Sequence, residues 1–255
     1  MIPIKTPKEI EKMRRAGECA ARILNALADM VAPGVTTGWI DREAGRLMAE
    51  AGVRSAFYGY RKFPGQICIS INEEVVHGIG GPRKIAYGDI VKMDVGVIMD
   101  GYIGDTAMSI PVGVIPPEWE KLLYETDRIL HDSLQFARDG RHIGDLCAFI
   151  EEQAIACGYS VVRDFVGHGV GRRLHEEPQV PNFGKRGTGP KFRAGMTVAI
   201  EPMINLGVGE VRLLPDKWTV VTRDGKPSAH FEHTVLITER EPEILTWPRR
   251  SFFRG

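Results

Sequence analysis

The chain has 255 residues, enough for one large domain or two small ones with a substantial buried core. Lys+Arg and Asp+Glu both number 33, and the resulting formal charge of zero argues against a globally basic DNA binder while leaving room for a local basic patch. No apolar run approaches the ~18 residues of a membrane span, the four cysteines (Cys19, Cys68, Cys147, Cys157) have no Cys-x-x-Cys spacing, and the opening Met-Ile-Pro-Ile-Lys lacks a signal-peptide core, so a cytoplasmic protein is expected.

Thr6-Pro7-Lys8-Glu9 reads as a helix start, with Thr as N-cap, Pro at the first helical position and Glu placed to close a capping box. Ile10, Met13, Ala20, Ile23, Leu27 and Met30 supply the apolar face until Pro33-Gly34 stops it. A second helix is predicted after Gly38, with Ile40, Ala44, Leu47, Met48 and Ala51 inward and Gly52 at its end. Trp119, Leu122, Ile129, Leu130 and Leu134 predict a third helix ending before Gly140, and Ile143, Leu146, Ile150 and Ala154 a fourth ending at Gly158. Gly34, Gly38 and Gly52 lie 106 positions before Gly140, Gly144 and Gly158, and Gly88, Val91 and Asp94 lie 107 positions before Gly195, Val198 and Glu201. This pattern points to an internal duplication within one domain spanning 1–255, with halves of about 6–110 and 117–240, each made of two helices followed by strands, and a short tail at 247–255.

Residues 89–110 read as two strands around Asp100-Gly101, a favoured two-residue hairpin turn. In that register Gly96 faces Asp105, and Asp94 lies diagonal to Asp105 on the same face, near enough for the carboxylates to share ions. A bulge at Gly104 would spoil the arrangement. Two exposed strand aspartates are the ordinary alternative, but Val91, Met93, Val95, Val97 and Ile98 make the setting apolar. Glu201 follows the apolar run Met196–Ile200 and precedes Pro202, a strand end. Glu232 stands before the strand-like run from His233 to Ile237. Four converging buried carboxylates repel one another unless some are protonated or cations neutralise them, and two divalent ions balance four negative charges.

His168 stands in Phe165-Val-Gly-His-Gly-Val-Gly171, where three glycines strip side-chain bulk from around one imidazole. His175-Glu-Glu-Pro-Gln179 is not the helical His-Glu-x-x-His zinc motif, and His77-Gly-Ile-Gly80 echoes the pattern in the first half. A carboxylate-dominated set with one His suits harder or borderline ions such as Mn, Fe or Co better than a tetrahedral His/Cys zinc site.

These residues resemble the methionine aminopeptidases, metal-dependent peptidases of the creatinase-like "pita-bread" family. The resemblance is carried over nearly the whole chain by Cys68-Ile-Ser-Ile-Asn-Glu73, Asp94 with Asp105, Gly167-His-Gly-Val-Gly171, His175-Glu-Glu-Pro-Gln-Val180, Gly195-Met196 leading to Ile200-Glu-Pro-Met203, and Glu232-His-Thr234. It implies an α+β fold of two pseudo-symmetric halves, in which antiparallel sheet is covered by helices and cradles a central metal cleft. It also implies that Asp94 chelates one ion, that Asp105 and Glu232 bridge both, and that His168 and Glu201 hold the other, the ions being Co, Mn, Fe or Zn. His77 and His175 are similar to the family's two non-ligand active-site histidines. Tyr60, Phe63, Cys68 and Trp218 fall where relatives line the methionine side-chain pocket, although Phe63 stands where tyrosine is expected. The lack of an amino-terminal zinc-finger extension and the 33 positions from His168 to Glu201 resemble type I members.

The reaction so implied is removal of amino-terminal methionine before a small second residue, with Glu201 as general base, His175 on the oxyanion and His77 near the scissile amide. The expected partners are methionyl peptides of nascent chains and, transiently, the ribosome, for a monomeric chain that binds neither membrane nor DNA. Lys185-Arg186, Lys191 and Arg193 form a basic loop that could touch RNA phosphate or simply be solvated, and the tail Arg249-Arg250-Ser-Phe-Phe-Arg254 carries the same ambiguity. The rival readings are an X-Pro aminopeptidase or prolidase of the same fold and a non-catalytic binding protein that has kept the fold. Nucleotide binding fails, since Gly167-His-Gly-Val-Gly171-Arg-Arg places no glycine where a dinucleotide fingerprint needs one.

Overall fold

Thr6 accepts a hydrogen bond from the Glu9 amide at 3.4 Å while the Glu9 carboxylate accepts from the Thr6 amide at 3.0 Å, so the expected capping box closes and starts α1 (Pro7–Ala28). The computed structural model describes residues 2–248; the tail Arg249 to Arg254 lies outside the described residues. α2 (Thr37–Glu50) begins two residues earlier than a start after Gly38, because Thr36 caps it by accepting from the Trp39 amide. Gly38 sits inside the first turn as a packing glycine: its amide donates to the Gly81 carbonyl at 2.8 Å, and a Cβ would lie 2.9 Å from that oxygen.

The strands that follow are β1 (Arg54–Ser55), β2 (Cys68–Ile71), β3 (Glu74–Val76), β4 (Ile90–Met99) and β5 (Tyr102–Pro111). After α3 (Pro117–Ser133) and α4 (Ile143–Ala156) come β6 (Ser160–Val161), β7 (Gly167–Gly169), β8 (Glu176–Val180), β9 (Thr197–Ile200) and β10 (Met203–Asn205). The last are β11 (Val211–Leu213), β12 (Val220–Thr222), β13 (Ser228–His230), β14 (Glu232–Leu236) and β15 (Glu243–Ile244). The third helix stops short of Leu134, which opens a separate 3₁₀ turn over Leu134–Phe136.

A nine-stranded antiparallel sheet runs β1-β4-β5-β14-β9-β7-β8, with β2 added to β4 and β15 to β14, and two three-stranded sheets (β13-β10-β6 and β11-β12-β3) flank it. The β4–β5 hairpin has the register expected from sequence: Asp100 and Gly101 both take positive φ (51° and 78°), as a tight twisted turn requires, and Gly96 pairs with Asp105. Lys92, buried on this hairpin, donates from Nζ to the carbonyls of Asn72 (2.8 Å) and Ser228 (3.0 Å), tying the β2–β3 turn to β13; burial pulls its ammonium down to about 7. One apolar cluster runs through both halves, from Leu24 and Ile40 to Leu146, Val198 and Val235.

Gly104 carries no bulge and pairs with Val97. Its role is to let α1 cross β5, since a Cβ there would lie 2.4 Å from the Ala16 carbonyl and 2.5 Å from the Gly17 amide nitrogen. Backbone meets backbone at this crossing, so no side chain can yield. Gly104→Ala is expected to cost about 1–3 kcal/mol in urea unfolding; a loss below about 0.5 kcal/mol, the range of ordinary surface changes, would mean that the helix slides freely over the hairpin.

Candidate active site

Five neighbouring strands, β4-β5-β14-β9-β7, each bring one polar side chain to the same place: Asp94, Asp105, Glu232, Glu201 and His168. Register sets this row. Asp94 and Glu232 both pair with Ala107 from its two sides, Asp105 lies two residues along β5 on the same face, and Glu201 follows Ile200, the partner of His233. His168 pairs with Ala199 across β7–β9, where Gly167 and Gly169 have no room for a Cβ: it would come within 2.4 Å and 2.2 Å of the Ala199 and Glu177 carbonyl oxygens.

Asp105, His168 and Glu232 present ligand atoms that all lie within 4.8 Å of one another. His168 Nδ1 lies 2.9 Å from the Gly169 carbonyl, which can only accept, so Nδ1 carries the ring proton and Nε2 presents a lone pair. That lone pair faces carboxylate oxygens, Glu201 at 3.5 Å and Asp105 at 3.9 Å. Lone pair against carboxylate is repulsive unless a cation lies between them or the carboxyl is protonated. Asp94 Oδ1 and Asp105 Oδ1 are also buried without a hydrogen-bond partner among the described residues. The donor set of oxygens and one imidazole nitrogen therefore fits divalent metal.

In the ion-free site the electrostatics favour protonation. Burial, then the neighbouring Asp105 charge, pushes the Asp94 carboxyl well above its ordinary range; burial pushes Asp105 up to about 7. Glu201 and Glu232 are raised by burial and then by the other carboxylates. The histidines move the other way, burial before the charge of His175 lowering His77 to about 4 and His168 to about 3, so both are neutral at working pH.

A cavity of about 230 Å³ holds all the residues singled out in the sequence: the five above with His77, His175, Tyr60, Phe63, Cys68 and Trp218. One wall is apolar, with Phe63 edge-on to Trp218 (centroids 5.0 Å). Cys68 is the cross-strand partner of Asp94, so the apolar wall and the carboxylates adjoin directly. Tyr60 does more than line this wall, because its hydroxyl lies 2.9 Å from His175 Nδ1 with the rings stacked. With the hydroxyl as donor, Nε2 of His175 carries the proton. His77 takes a left-handed backbone (φ 61°), strain of a kind that collects at functional sites, between the rings of Phe165 (5.2 Å) and Trp218 (6.3 Å).

Sequence reasoning missed His230. Its Nε2 is buried without a hydrogen-bond partner among the described residues, 3.6 Å from Glu201 Oε2, and it lines the cavity. Its place two residues before Glu232 in an extended run puts it on the same side of the chain, a signal the alternation rule could have read. The apolar lining from Phe57, Val76, Leu174 and Met203 was also missed, since nothing local separates these from core residues.

A carboxyl whose folded pKa is raised loses its stabilising contribution as pH rises through that value, about 7 for Asp105, whereas the lowered His77 and His168 add stability as pH rises towards 6.5; from about pH 6.5 upward the carboxyl effect stands unopposed and the folded protein without ions loses stability. Protein stripped with chelator should melt at progressively lower temperature across that window, and Mn²⁺ should raise the melting point more at pH 7.5 than at pH 5. A melting point that climbs with pH across that window in the stripped protein would contradict this account of the site.

The profile of Metallopeptidase family M24 matches residues 11–239. The chain is 46% identical to methionine aminopeptidase of Clostridium perfringens, covering 96% of this chain and 99% of that one, and 47% identical to methionine aminopeptidase A of Synechocystis, covering 96% and 97%. The solved methionine aminopeptidase of Thermotoga maritima superposes with a TM-score of 0.95 at 44% identity over 96% of this chain and 99% of that one. Prolidase from Pyrococcus furiosus, at 24% identity and covering 97% of this chain and 66% of that one, shares the fold alone (TM-score 0.79). The antiparallel sheet with its covering helices is thus the pita-bread fold that the resemblance implied, and the chain belongs to metallopeptidase family M24, among its methionine aminopeptidases.

Proposed function

We propose that this chain hydrolyses the amino-terminal methionine from peptides, with Asp94, Asp105, His168, Glu201 and Glu232 holding two divalent ions. The observation that carries this reading is the adjacency of two chemistries in one cavity: a cation-seeking carboxylate row, and beside it an apolar wall of Phe63, Cys68 and Trp218. Soft sulfur and aromatic faces suit a thioether side chain. Asp94, Asp105, Glu232, Glu201 and His168 would together hold the ions, Asp105, His168 and Glu232 presenting ligand atoms within 4.8 Å of one another. When bound, such ions supply the positive charge that acidifies water and polarises a carbonyl.

The protein side of the mechanism follows from positions. Glu201 takes the proton of the attacking water as general base, and its carboxylate stands 3.6 Å from the neutral ring of His230. His175, oriented by Tyr60, donates from Nε2 to the oxygen that becomes negative in the tetrahedral intermediate. His77 meets the peptide near the scissile amide. The methionine side chain in the apolar wall fixes the residue whose carbonyl reaches His175. A small second residue, the type I assignment, a monomeric state and cytoplasmic action on nascent chains belong to the same reading. So does the duplication: the succession of two helices and a long run of strands in each half, and the positions of Asp94 and Glu201 in one row, support halves of common origin.

Contact with the ribosome would use the loop at 185–193. Arg186 is engaged there by the Glu152 carboxylate (3.1 Å from Nε) and stacks over Phe136, which leaves Lys185, Lys191 and Arg193 as the available cations.

Turnover of Met-Gly over Ala-Pro peptides separates this reading from an X-Pro hydrolase, and faster cleavage of Ala-Pro would reverse it. Metal-free protein titrated with Mn²⁺ should gain methionyl-peptide activity up to two equivalents; saturation at one would reduce the two-ion mechanism to one. Glu201→Gln should lower kcat by about 10²–10⁴-fold, the span typical of a general base, and near-normal turnover with metal still bound would remove Glu201 from that role.

A further inference from the structure

His175 is exposed, its imidazole held at the ring by the Tyr60 hydroxyl and by contact with His168 (centroids 4.2 Å). Where its Cα stands is set by the backbone of residues 171–176, a turn between β7 and β8. That turn is organised by one carboxylate. Glu176 Oε1 accepts from the Arg172 amide (2.9 Å) and the Arg173 amide (3.2 Å), while the Gly171 amide donates to the Arg173 carbonyl (3.1 Å). The other oxygen, Oε2, is taken by Lys5 Nζ at 2.7 Å, in an ion pair whose side chains are only 5% and 10% exposed.

Lys5 lies 171 residues from Glu176 and belongs to the arm that precedes α1. The arm is laid down tightly. The Lys5 amide donates to the Gly195 carbonyl at 2.8 Å, and a Cβ on Gly195 would lie 2.8 Å from Ile4; a Cβ on Gly171 would lie 2.8 Å from both Lys5 Cε and the Glu176 carboxylate. Two glycines thus clear the path by which one lysine reaches one carboxylate. The first turn of α1 adds a weaker hold, since Glu9 Oε1 accepts from Tyr102 Oη (2.6 Å) and lies 3.4 Å from Arg172 Nη2.

We propose that Lys5 is a positioning residue for the reaction at His175: through its buried ion pair with Glu176 it fixes the Arg172–Glu176 turn, so that the imidazole meets the developing oxyanion in register. The inference rests on the role given to His175 above. A carboxylate that spends one oxygen on two backbone amides can still swing about that contact, and each swing moves the peptide unit next to His175. Lys5 removes that freedom by engaging the second oxygen. A misplacement of an ångström at a transition-state donor is felt in kcat far more than in ground-state binding.

The test is a double-mutant cycle on the metal-loaded enzyme, with a Met-Gly peptide as substrate. Lys5→Met, which keeps the stem and deletes the ammonium, should lower kcat about tenfold with KM changed less than about threefold. In a His175→Ala background the same substitution should change kcat less than about twofold, because the group it positions is gone. An equal loss in both backgrounds would make Lys5 a general structural prop and overturn the proposal, as would unchanged kcat in the parent. His175→Ala with undiminished turnover would remove the reading of His175 itself and this proposal with it, an outcome distinct from an additive cycle. If Lys5→Met does not yield folded protein, Glu176→Gln keeps an acceptor for the two amides, drops the charge, and is carried through the same cycle with the same criteria.

Discussion

Four carboxylates brought into one largely buried cleft are the constraint around which this molecule is arranged. Two like charges about 4 Å apart repel by about 4 kcal/mol at the effective dielectric of a protein, a substantial fraction of the 5–15 kcal/mol by which a domain is typically stable. Asp94, Asp105, Glu201 and Glu232 would form several such pairs if all were ionised. The raised carboxyl pKa values, the oxygens of Asp94 and Asp105 that have no hydrogen-bond partner among the described residues, and the lone pair that His168 points at two carboxylates all mark a donor set suited to cations.

The sheet is what makes that concentration possible. Side chains on a loop could move apart and relieve the repulsion, whereas five adjacent strands with fixed register cannot. The rest of the core holds the register: α1 laid across β5 at Gly104, the Asp100-Gly101 turn, and the Lys92 ammonium fastening two backbone carbonyls behind the hairpin. Function is placed on the same frame. Because Cys68 and Asp94 are cross-strand partners, the wall suited to a methionine side chain and the residues suited to the ions keep a fixed separation.

The histidines show a different logic. His168 and His230 are locked within strands, but His77 and His175 lie on turns, one held by backbone strain between two aromatic rings and the other by Tyr60. The two histidines outside the strands are thus carried by segments that need outside support. The Lys5–Glu176 ion pair supplies such support from the opposite end of the chain.

Much of this was legible in the chain itself. The capping box at Thr6, the apolar stripe of α1, the helix-ending glycines and the β4–β5 register follow from local rules, because hydrogen-bond closure, helical periodicity and turn geometry act over a few residues. The pairing of Asp94 with Asp105 came out of that register alone, and motifs extended it to His168, Glu201 and Glu232. Gly38 was misread as a helix boundary, and the packing of Gly104 against α1 went unread although its regular register was expected, since a glycine's sequence neighbours do not reveal the backbone that passes beside it. The tertiary structure alone decided that five strands stand side by side, that Tyr60 holds His175, that His230 joins Glu201, and that Lys5 reaches Glu176. These contacts join residues far apart in sequence, and their geometry is fixed by long-range packing that no local pattern records.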